Sequence, residues 1–233
     1  MKLFLALLLS LCIVLPVFAQ EPEVLDDDDL DIIAVEEGAE ALSDEDFILA
    51  HAEELKAEVE KEEAKKAETI ASIEEGEKNI AALEAEMENL GWIKKQAQKT
   101  KIALANRNVN SLNETLKATE VRLSIGYSVL ASLAMRVMTD DEMKAAKANL
   151  PAIYDLQKAV NKKVKDVVSV PAAYMATEKE IKAREEELSG IEEKLTTKPK
   201  RMLLERKIKS YKKRLEYLSA KIAIDTAISY ILK

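Results

Sequence analysis

"EMENLGWIKKQAQK", residues 86–99, carries the chain from a glutamate-rich stretch into a lysine-rich one, and the change falls on the pair Gly91–Trp92. Upstream, Val59, Ile73, Ile80 and Met87 fall at multiples of seven, with Leu83 and Leu90 in the complementary seam; the stripe is thin between 61 and 69. Downstream, Ile102, Val109, Leu116, Leu123, Leu130 and Val137 form an unbroken seven-residue series, with Ala105, Leu112, Thr119, Gly126 and Leu133 in the second seam position. Such regularity marks a helical packing surface.

The two series do not join. Continued past Met87, the first lands on Lys94 and Lys101, one residue short of Ile102, and a one-residue slip turns a helical stripe by about 100°. Glycine at 91 tolerates the left-handed conformation of a helix end, and Trp92 can supply the apolar contact that follows such an end. Charge points the same way. Over 51–90 acids outnumber bases thirteen to five, whereas over 92–137 Lys94, Lys95, Lys99, Lys101, Arg107, Lys117, Arg122 and Arg136 meet only Glu114 and Glu120. Folding back at Gly91 sets acid beside base. The alternative is one long helix over 43–138, roughly 140 Å at 1.5 Å per residue. Acid precedes base again at the C-terminus, where "EKEIKAREEELSGIEEKL" (178–195) leads into "KPKRMLLERKIKSYKKRLEY" (198–217).

The expected fold class is therefore all-α: elongated helical hairpins or a coiled-coil bundle behind a disordered acidic N-terminal segment. Low Gly and Pro, few aromatics and 33% charged residues suit long helices. Ser43, followed by acids, reads as an N-cap. Thr139 with Glu142 reads as a capping box for a helix that Pro151 interrupts, leaving short amphipathic helices over 139–170. Ile153, Leu156, Val160, Val164 and Val167 share one side there, and "SVP" (169–171) breaks the segment. Residues 171–233 read as a helical hairpin with Pro199 at the start of its second arm.

Residues 1–19 have the grammar of a secretory signal peptide: Lys2, an apolar run from Leu3 to Phe18, then Val17 and Ala19 before a cleavage point at Gln20. Residues 20–42 read as an acidic disordered leader. "DDDDLDIIAVEE" (26–37) fails as an EF-hand, because Leu30 and Asp31 occupy the fifth ligand position and the glycine turn position. The expected localisation is secreted, extracellular or periplasmic.

Cleavage removes Cys12, the only cysteine, so the mature chain has no disulfide and is held by apolar burial. With His51 as its lone histidine it cannot build a His-rich or thiolate zinc site, a Cys-His pair, or an ordinary Ser-His-Asp triad with spare parts for other work. Five scattered glycines provide no phosphate loop. The reading is no enzyme, no cofactor and no metal.

Binding is the remaining class. In "NKKVKD" (161–166) with Lys158 before it, Lys158, Lys162, Lys163 and Lys165 are a candidate polyanion site, Lys158, Lys162 and Lys165 being spaced to share a helix face. The bland reading is a solvated lysine face. A second basic run spans Lys198–Arg214. Asn113 in "NET" is a glycosylation acceptor in a eukaryote. The final "SAKIAIDTAISYILK" (219–233) is apolar on most faces and reads as buried.

In organisation, with a signal peptide, no mature cysteine and long charged helices, the chain resembles helical periplasmic chaperones of the Skp type, which are smaller and basic, and granule-matrix proteins of ciliates. The expected function is a secreted or periplasmic coiled-coil structural or interaction protein that associates with itself, or with another helical protein, through its heptad seams. The alternative is a surface adhesin or binding protein for anionic polysaccharide or lipid surfaces. Nucleic acid is not an expected partner.

Overall fold

A computed structural model of the protein describes residues 43–88, 90–165, 167–192 and 196–233. The signal-peptide and acidic-leader readings lie outside these residues. Six helices and no strand occur among the described residues: α1 (Asp44–Ala50), α2 (Ala52–Met87), α3 (Trp92–Ser132), α4 (Asp140–Lys163), α5 (Val170–Ser189) and α6 (Lys198–Ile231). The chain forms two compact units, one from the described residues up to Glu58 with Ser124–Lys233, the other from Val59–Leu123.

Val59–Leu123 folds as an antiparallel pair made from α2 and α3. Arg122 meets Glu62 at one end, Val109 lies against Gly76 in the middle, and Gln98 bonds to the Leu83 carbonyl and Glu86 near the reversal. The reversal solves the one-residue slip, since each helix keeps its own stripe and turns it toward the other. Gly91 works differently from expectation. It is not in the left-handed region, and a Cβ added there would meet nothing within 4 Å. Its carbonyl accepts the Lys95 N–H at 2.9 Å, so it opens α3, while the Leu90 N–H closes onto the Met87 carbonyl at 3.3 Å. Trp92 supplies no covering contact: it is 76% exposed.

In the other unit, α6 packs along α5 and α4 and touches α1, which also meets α5. The Ser43 hydroxyl oxygen accepts the Asp46 N–H (3.1 Å), capping α1, and the Phe47 ring stands edge-on to Tyr174 at 4.7 Å. Leu218, Ile222, Ile224 and Ala227 are fully buried, so the apolar C-terminal stretch is core.

Three boundaries differ from the sequence reading. The heptad series runs out before Val137, because α3 ends at Ser132. Ala134 takes φ 55° as the Met135 N–H reaches the Leu130 carbonyl and the Ala134 N–H the Ala131 carbonyl, a Schellman closure with alanine in the usual glycine position. Val137 lies beyond it, 87% exposed. Pro151 does not interrupt its helix: α4 runs unbroken from a complete Thr139–Glu142 capping box to Lys163. Proline inside a helix costs about 3 kcal/mol. Ile153, Leu156 and Val160 beyond it are essentially fully buried, each contributing roughly 1.5–3 kcal/mol, which outweighs that cost. Finally, "SVP" begins α5 rather than merely ending α4. Ser169 accepts the Ala172 N–H and Pro171 sits in the first turn, where its missing N–H is harmless.

Candidate interaction surfaces

The lysine cluster is not one helix face. Lys158, Lys162 and Lys163 lie on α4, but the helix stops at Lys163 because Val164 takes the C-cap and turns its side chain into the core. Lys165 falls in the turn beyond. Lys158 pairs with Asp155 (3.3 Å) on the same helix, and Lys162 and Lys163 occupy the last turn, where a cation complements the helix dipole. Part of the basic run of α6 is answered by α5 and the residues just after it. Lys212 pairs with Glu185 (2.6 Å), Lys200 with Glu187 (2.9 Å), and Arg201 donates to the Ile191 carbonyl (2.8 Å). The Lys200 hydrogen bond holds Glu187 below the usual carboxylate range, whereas burial raises Glu216 on the same hairpin, with Lys213 opposing.

His51 closes α1, its Nδ1 2.7 Å from the Phe47 carbonyl and its ring beside Phe47. Asn113, in the middle of α3, donates its amide to the Val109 carbonyl at 3.0 Å and is half-buried, so a sugar there would displace an existing contact. Among the described residues no group of three or more His, Cys, Asp or Glu side chains is placed to hold a metal ion, and no helix is long and apolar enough to cross a membrane.

The thin part of the first stripe contains a charge pair. Glu62 and Arg122 are 5% and 3% exposed; Arg122 reaches the same Glu62 oxygen through Nε and Nη2, both at 2.8 Å, and its Nη2 also donates to the Thr119 hydroxyl at 2.7 Å. Lys66 meets Glu120 (3.1 Å) one turn on. Sliding the helices would strand a buried charge, which costs about 3–5 kcal/mol, so the pair penalises other registers. Hydrophobic patterning could not reveal it, since both residues read as solvated charge.

Seam residues of Val59–Leu123 are unevenly covered. Val109, Leu123 and Ile73 are buried, but Ile80, Leu83, Ile102, Leu112 and Leu116 are only half-buried. Leu130, in the other unit, is buried. Along one side of the α2–α3 pair runs an open groove of about 590 Å³, with Leu83, Leu104, Val109 and Leu112 among its apolar lining and Glu75 and Lys101 among its polar lining. Leu104 is 57% exposed. The groove was not legible in sequence, where Leu104 lies outside both seams.

No protein-family model, curated protein or solved structure matches this chain.

Proposed function

We propose that this is a secreted helical protein that acts by association, principally with further copies of itself, through the open side of the α2–α3 pair. The observation that carries this reading is the incomplete cover of that pair: two helices leave Leu104 exposed and Leu83 and Leu112 only half-buried along one groove. Apolar area of this kind gains roughly 25 cal/mol per Å² when removed from water. Bundles reach that state by adding helices. The test is sedimentation velocity on the chain beginning at Gln20. The expected result is a concentration-dependent mass above that of the monomer, returned to monomer by Leu104→Asp. A monomer at every concentration overturns the proposal.

A further inference from the structure

The half of the α2–α3 pair nearest the reversal separates its charges by helix, with Lys78 on α2 the one exception among the described residues. On α2 and the turn after it, Glu68, Glu74, Glu75, Glu77, Glu84 and Glu88 have no ion-pair partner among the described residues; on α3, the same holds for Lys94, Lys95, Lys99, Lys101 and Arg107. The fold-back therefore leaves these acids and bases unmatched, although they lie at similar levels along the pair. They are also placed against the local helix dipoles. α3 opens with lysines and has no acid in its first turn, and α2 closes among glutamates with no base in its last. Each such end loses about 0.3–1 kcal/mol relative to the opposite choice.

On the groove side the segregation follows helical spacing. Glu75 lines the α2 wall and Glu86, eleven residues on, shares its face; Lys101 lines the α3 wall and Lys94, seven residues before, shares its face. Between these walls lie Leu83, Leu104 and Leu112.

We infer that two copies pair groove to groove, with the reversals at the same end, so that α2 of each copy lies against α3 of the other in a four-helix arrangement. This rests on the self-association reading and specifies its partner surface. Charge decides the choice. Placing like helix against like, groove to groove, sets the reversals at opposite ends and carries Lys94, Lys95, Lys99 and Lys101 of each copy away from the glutamates at 84–88 of the other. Only α2 against α3 is complementary. Placing the reversals at the same end also follows, since both the glutamates at 84–88 and the lysines at 94–101 concentrate there. The register set by Gln98 against Leu83 and by Val109 against Gly76 then puts Lys101 of one copy within about one helical turn of Glu86 of the second. The leucines between the charged walls close against each other.

A charge-swap experiment on the full chain tests this. Lys94→Glu/Lys101→Glu and Glu75→Lys/Glu86→Lys are prepared separately and checked for wild-type helicity by circular dichroism. Each alone should dimerise at least ten-fold more weakly than wild type, and an equimolar mixture should recover wild-type affinity by sedimentation equilibrium. Recovery requires both variants to be folded. In parallel, carbodiimide coupling of mixed light and heavy-isotope wild-type copies should yield mixed-isotope Lys101–Glu86 links. If the wild type dimerises but both variants match it, or the mixture stays weak and the mixed-isotope links are missing, the pairing is wrong while self-association stands. A wild type that never dimerises overturns both.

Discussion

Ala134 closes α3 in a backbone conformation that costs an L-residue with a side chain about 1–2 kcal/mol, and it does so because the Schellman hydrogen bonds from Ala134 and Met135 leave no other geometry. Glycine adopts that conformation freely but loses more entropy on folding. Ala134→Gly should therefore stabilise the protein by a net ~0.5–1 kcal/mol, read as a higher denaturant midpoint at unchanged slope. Gly76 presents the opposite case. In a helix interior, glycine to alanine ordinarily gains roughly 0.5–1 kcal/mol. Here the new Cβ would stand 2.7 Å from Val109 Cγ2. Overpacking of that kind costs about 1–3 kcal/mol, so Gly76→Ala should destabilise by ~1 kcal/mol, and Val109→Ala in the same chain should recover part of the loss. Gly91→Ala, with open space around it, is the control that should cost nothing measurable.

At the scale of elements, α4 is the case where packing overrides local preference. Pro151 is exposed on a helix whose opposite face buries Ala146, Ile153, Leu156 and Val160. Pro151→Ala should restore the helical N–H and relieve the clash with the carbonyl four residues back. The expected gain is about 2 kcal/mol, less than the full helix penalty because the unfolded chain also becomes freer. Thermal melting by circular dichroism checks it. What was legible in the sequence at this scale was signalled locally: the capping box at Thr139–Glu142, the caps at Ser43, and the heptad run from Ile102 to Leu130. What was not legible depended on distant partners. The end of α3 carries no glycine to announce it, so the seven-residue count ran on to Val137. The valine series through Val164 hid the end of α4, which placed Lys165 on a helix it does not reach. The Glu62–Arg122 pair looked like a gap in the stripe because its two halves lie far apart in the chain. The groove beside Leu104 exists only once α2 and α3 are side by side.

Taken across the whole chain, charge is unevenly held. Residues 1–42 contain ten of the 43 acidic side chains and one of the 35 basic ones, so the net charge of −8 belongs almost wholly to that segment and the remainder is close to neutral. Attraction between the near-neutral helical parts of two copies, residues 43–233, then arises from the segregation of charge onto different helices, which salt screens within about 10 Å at 0.1 M. The single tryptophan gives an independent reading of which surface associates. Trp92 stands at the start of α3 beside Ile93, each 76% exposed, outside the groove lined by Leu83, Lys101 and Leu104. Its native emission should be that of hydrated indole, open to acrylamide. Denaturant should abolish the helical circular dichroism while moving the emission maximum little. Raising the protein concentration should increase the mass without a blue shift, because groove-to-groove pairing leaves the indole in water. Association through the exposed Trp92–Ile93 pair would instead shift the emission to the blue and protect it from quencher in step with the mass. That outcome would move the interface from the side of the helical pair to its end.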